Sequence, residues 1–115
     1  MKNQMTWALL TQAMDTIAER CGYSSLDRIS QRLLEWISKT ELEIPVIYVQ
    51  TVIMKSGIAS PATLHKSLAK LERQGFLATQ VDKSDARRRI IITTKKSKTM
   101  FASLSREVVK TFGPS

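Results

Sequence analysis

A chain of 115 residues, 43% apolar and 24% charged, has the length of one domain with its own core and lacks the low hydrophobicity of a disordered one. No apolar run approaches the roughly 20 residues that cross a bilayer, the start Met1-Lys2-Asn3-Gln4 lacks a secretory pattern, and a lone Cys21 beside a lone His65 supplies neither a disulfide nor a zinc set. The net charge of +8 is uneven, since residues 1–54 carry five Lys/Arg against six Asp/Glu and residues 55–115 carry thirteen against four, which points to a polyanion partner for the second half.

In chain order, Trp7, Leu10, Met14, Ile17 and Cys21 recur at spacings of three and four, predicting a helix over about residues 4 to 21 with one apolar face. Gly22 ends it, Ser24 or Ser25 is placed to cap the next helix, and Leu26, Ile29, Leu33, Trp36 and Ile37 form that helix's apolar side before it fades near Lys39 to Glu43. Pro45 suits the first turn of a third helix that buries Val46, Val49, Val52 and Ile53. Lys55-Ser56-Gly57 reads as its end, with Gly57 free to turn left-handed.

The next segment carries the strongest local signals. Ser60 is an N-cap, Pro61 fits the first helical position, Leu64, Leu68 and Leu71 fall on one side, and Gly75 stops the helix. Phe76 to Val81 alternates as a strand does, Asp82 to Arg88 is polar and charged, and Arg89-Ile90-Ile91-Ile92-Thr93-Thr94 is β-branched. These segments predict a β-hairpin with a basic tip. A final helix over about residues 96 to 111 is expected to bury Met100, Leu104, Val108 and, at its edges, Phe101 and Phe112.

Two helices joined by a short turn and followed by a basic hairpin have the order of a helix-turn-helix with a wing. The second helix of such a pair fits the major groove, and the wing tip reaches the minor groove or the backbone. The expected architecture is mainly α with a small β-hairpin: one winged helix-turn-helix domain over 1–115, with N-terminal helices in 1–40, helix-turn-helix and wing in 45–94, and a C-terminal helix in 96–111. Candidate DNA contacts are Ser60, Ala62, Thr63, His65, Lys66, Lys70 and Arg73 on the helix of residues 60 to 74, and Lys83, Asp85, Arg87, Arg88 and Arg89 on the wing of residues 82 to 89. The competing reading is an ordinary solvated face for the helix and a solubilising charge run for the hairpin. Alternate strand residues face opposite ways, so Arg87, Arg88 and Arg89 do not all point alike. Lys95, Lys96 and Lys98 read as a source of diffuse attraction.

The run Ser60-Pro61-Ala62-Thr63-Leu64-His65-Lys66, followed by Leu68, Leu71-Glu72, Gly75-Phe76-Leu77, Asp82, Asp85-Ala86-Arg87-Arg88-Arg89 and Thr93-Thr94, resembles the recognition helix and wing of the MarR family of transcriptional regulators. The resemblance covers about residues 45 to 97, and the wing is its most specific part. Thr93 stands where that family usually has Leu, and Ser97 where Gly is common. The resemblance implies a regulator that binds double-stranded DNA, with Asp85 orienting an arginine and Arg87 entering the minor groove. It also implies a homodimer built from the terminal helices, with an unknown small-molecule effector. Trp7, Leu10, Met14 and Ile17 are open to use as core, dimer seam or effector pocket. Cys21 is an inert cysteine or, as in the peroxide-sensing branch of the family, a redox sensor.

Nothing in the pattern supplies a nucleophile with its base, a carboxylate pair or a phosphate loop, so no enzyme, cofactor or metal is expected. The expected location is cytoplasmic, away from membranes. Two alternatives share the fold: a winged helix that docks a protein partner, and a phage or plasmid replication or partition factor.

Overall fold

The computed structural model describes residues 2–113, which fall into two compact units: the chain up to Leu26 with the stretch from Thr99 onward, and Asp27–Lys98.

In the first unit, helix α1 (Lys2–Arg20) is followed by a single 3-10 turn at Tyr23–Ser25. Of the five residues expected on the apolar face of α1, only Ile17 is buried; Leu10 and Cys21 are half-buried, and Trp7 and Met14 remain 68% and 53% exposed. The spacing gives the helix and its stripe but not what covers the stripe, so a core role for Trp7 and Met14 within this chain is ruled out. The unit also contains the later part of helix α5 (Lys95–Phe112). Met100 is buried there, the Tyr23 and Phe101 rings lie 5.9 Å apart, and Arg20 reaches Glu107 at 3.1 Å. Val108 and Phe112, expected inside, are exposed.

The second unit opens with helix α2 (Arg28–Glu41). Its N-cap is Asp27, not Ser24 or Ser25, because those serines belong to the preceding turn. The Asp27 carboxylate accepts the Ser30 amide proton at 2.9 Å and the Ser30 hydroxyl at 3.0 Å, satisfying donors that a helix start leaves open. Leu33, Leu34 and Ile37 bury the inner side of α2.

Pro45 does not open a helix. It precedes a two-residue strand β1 (Ile47–Tyr48), and helix α3 is confined to Val49–Lys55. The reason lies in Val46-Ile47-Tyr48, whose β-branched and aromatic side chains suit a strand. Ile47 and Tyr48 pair with Ile91 and Ile90, Ile47 is buried, and Val46, expected inside, is 39% exposed. Helix α4 (Pro61–Arg73) follows the sequence closely: Ser60 Oγ accepts the Thr63 amide at 3.3 Å, and Leu64, Leu68 and Leu71 are buried. Gly57 (φ 65°) lies in the turn between α3 and α4, and Gly75 (φ 84°) turns the chain out of α4, backbone angles that side-chain-bearing residues avoid.

Strands β2 (Leu77–Val81) and β3 (Arg89–Thr93) form the expected antiparallel hairpin, with Thr79 opposite Ile91. The hairpin is two-thirds of a sheet, because β1 adds to the far side of β3 in the order β1-β3-β2. Thr93 and Ser97, which depart from the MarR pattern, are both buried. Each has a partner: Thr93 Oγ1 donates to Glu41 at 3.1 Å, and Ser97 Oγ donates to the Phe76 carbonyl, which offsets the cost of burying a hydroxyl.

Candidate nucleic-acid interface

All the candidate contact residues belong to the second unit: Ser60 at the N-cap of α4, the rest of the helix set on α4, Lys83, Asp85, Arg87 and Arg88 on the loop between β2 and β3, and Arg89 at the start of β3. With Leu64, Leu68 and Leu71 turned inward, the 3.6-residue period puts Ala62, Lys66 and Arg73 on the crown of α4, and all three are exposed. Thr63, Ser67 and Lys70 fall on one flank, and His65 and Glu72 on the other. Ser60 is committed to the cap, its Oγ also lying 3.0 Å from Thr63 Oγ1. Lys70 is less free than its position suggests, for its ammonium lies 2.9 Å from Asp27. Lys70 and the Ser30 amide hold the Asp27 carboxyl at about 2, well below the usual carboxylate range.

The wing is organised by two carboxylates. Asp82 accepts the Ser84 amide at 3.0 Å and the Ser84 hydroxyl at 2.8 Å. Asp85 accepts the Arg87 amide at 3.0 Å and Arg87 Nε at 3.2 Å. These bonds to the charged form, the Ser84 amide foremost at Asp82 and the Arg87 amide at Asp85, lower both carboxyls from their ordinary values. Asp85 therefore orients Arg87, while the Arg87 side chain stays 90% exposed.

The three consecutive arginines do three different things. Arg87 projects from the tip. Arg88 folds back, its guanidinium 3.2 Å from Asp82, 3.7 Å from Asp85 and 4.4 Å from the centre of the Tyr48 ring, which makes it a fastener of the wing. Arg89 donates to Thr79 Oγ1 at 2.7 Å across the hairpin, and Thr79 donates to Glu72 on α4 at 2.9 Å. Lys83 is exposed on the loop.

Two contributors escape a reading of the sequence. Tyr48, which the sequence suggests is helical, lies on β1 beneath the wing; its hydroxyl donates to Asp82, and that bond raises its pKa. Strand propensity in Val46-Ile47-Tyr48 is the only local signal for it. Asp27 is marked only as an N-cap residue type, which Ser24 and Ser25 are as well. Among the described residues no three His, Cys, Asp or Glu gather as metal ligands would. No helix there is long and apolar enough to cross a membrane.

No protein-family profile and no curated protein matches the sequence. Solved structures do match the fold. A point mutant of MepR from S. aureus, bound to an oligodeoxyribonucleotide, superposes with a TM-score of 0.76 at 13% identity, covering 96% of this chain and 78% of that one. The M. tuberculosis transcriptional regulator MOSR in complex with DNA gives 0.60 at 19% identity, covering 96% and 74%. A MarR-like transcription regulator from Bacillus cereus gives 0.56 at 15% identity, covering 99% and 79%. In fold, this chain is a winged helix-turn-helix of the kind found in MarR-like transcription regulators.

Proposed function

We propose that the protein is a sequence-specific regulator of transcription that binds double-stranded DNA, with residues 60–74 in the major groove and the wing of residues 82–89 on the minor groove or backbone. The observation that carries this reading is Arg87, held by Asp85 through its amide and its Nε yet 90% exposed beyond the wing. A guanidinium fixed at its root and open at its end suits insertion into a narrow groove. On α4, Ala62, Lys66 and Arg73 are the groove-facing residues, Thr63 and His65 flank them, and Lys83 supplements the wing. Ser60 serves as the cap of the helix start that meets a phosphate. Arg88 and Arg89 act chiefly by holding the wing in place. MepR and MOSR, whose fold this chain shares, have been solved with DNA, which supports the same partner here.

The reading includes a homodimer on a two-fold-related site, no enzymatic activity and a cytoplasmic location. The test is a titration of labelled duplex DNA at two salt concentrations with the wild type and Arg87→Ala. Binding should weaken steeply with salt, and Arg87→Ala should cost about 1 to 3 kcal/mol with the melting temperature unchanged. Absence of duplex binding at low salt would overturn the reading.

A further inference from the structure

We infer that Asp27 is an attenuator of the DNA-binding face, cancelling the charge of Lys70 so that this lysine adds to phosphate affinity only when Asp27 is removed. The inference rests on the DNA-binding reading above. An open groove beside α4 is lined by Asp27, Thr63, Lys66, Ser67, Lys70 and Arg73. Its three cations, at spacings of four and three along one helix, are groups that neutralise phosphodiesters, and its two hydroxyls can hydrogen-bond them. One carboxylate interrupts that set, and it is paired with the central cation at 2.9 Å.

Asp27 cannot easily swing away from an incoming phosphate. Its oxygens are held by the amide and hydroxyl of Ser30 at the start of α2, so the negative charge stays where it repels DNA. Nor does protonation remove it, since the carboxyl titrates at about 2. Both partners reach solvent, with side chains 44% and 46% exposed, so a phosphate can approach the pair but meets a like charge there. Because the indiscriminate part of duplex affinity comes from neutralising phosphates, the residue that cancels one cation limits how tightly any sequence is held.

The experiment measures the affinity of the full chain for a labelled random-sequence duplex across several salt concentrations, using wild type, Asp27→Asn, Lys70→Ala and the double variant. Asparagine keeps an N-cap acceptor while losing the charge, and Asp27→Ser provides a second capping variant if Asp27→Asn melts early. Asp27→Asn should bind about threefold to tenfold more tightly near 0.1 M salt and steepen the slope of log affinity against log salt by about one. Lys70→Ala alone should change affinity by less than about twofold, and the double variant should return to near the wild-type value. Tightening absent in both capping variants, or an equal loss from Lys70→Ala in either background, would overturn the inference. Salt elution from heparin, which needs no duplex recognition, separates the two failures. Later elution of Asp27→Asn with no duplex binding by any variant would sink the DNA reading and leave the restraint on Lys70 standing; unchanged elution counts against the restraint itself.

Discussion

Lys96 sits in a basic run with Lys95 and Lys98, and composition alone assigns all three to diffuse attraction for DNA. Its ammonium is engaged otherwise: it donates to the Gln74 carbonyl at 2.7 Å and lies 4.4 Å from the centre of the Phe76 ring. Both contacts fall where the chain leaves α4, so Lys96 satisfies an end carbonyl that the helix leaves open. Lys96→Ala should lower stability by about 1 kcal/mol in denaturant titrations and leave the salt slope of DNA binding as it was. A flattened slope with unchanged stability would instead assign Lys96 to the DNA surface. The three wing arginines teach the same lesson at this scale. Composition makes Arg87, Arg88 and Arg89 one basic run, and the partners Asp85, Asp82 with Tyr48, and Thr79 separate the exposed arginine at the tip from the two fasteners.

Among the elements, β1 is small but sets the wing. It lends Tyr48 to the root of the loop, where the ring carries Arg88 and the hydroxyl donates to Asp82. The bond to Asp82 raises the Tyr48 pKa above its ordinary 10.0. The neutral form is therefore favoured in the fold, and its contribution is complete below the unfolded value and lost as the pH climbs through the folded one. Between about pH 9 and pH 12 the wild type should lose more stability than Tyr48→Phe, which keeps the ring and lacks the proton. Parallel pH curves for the two proteins, recorded by thermal melting, would show that the hydroxyl does not tie the wing down. The element was hard to read because two residues show no periodicity, and Pro45 before an apolar run serves a helix start or a strand equally well. Segments α4, β2 and β3 were legible because each carries its own punctuation: the Ser60-Pro61 start, the Gly75 stop and the β-branched run from Ile90 to Thr93. The pairings Asp27–Lys70 and Arg88–Tyr48 join residues 43 and 40 positions apart in sequence, and no local pattern records them.

At the scale of the whole molecule, the excess positive charge is concentrated in one of the two units. The unit Asp27–Lys98 carries fourteen Lys/Arg against seven Asp/Glu, and the rest of the chain four against three, so nearly all the excess positive charge accompanies the helix-turn-helix and wing. The large exposed apolar side chains of α1 are Met5, Trp7, Leu9 and Met14, in the other unit. Trp7 and Met14 share one side of the helix and Met5 and Leu9 another. Leaving apolar surface of that extent in water is unfavourable at about 25 cal/mol per Å², and the side that carries Trp7, half-buried Leu10 and Met14 offers a partner one stripe to cover. A second copy of the chain is the partner that a two-fold-related DNA site calls for. Sedimentation equilibrium should therefore give twice the mass of one chain, and Trp7→Glu should move it toward one. Two linked half-site contacts multiply their affinities through effective concentration, so the same substitution should weaken binding to a two-fold site far more than to a single half-site. A wild-type chain that sediments as a monomer would overturn the proposed dimer, and a Trp7→Glu variant that loses both kinds of site equally would remove α1 from its seam.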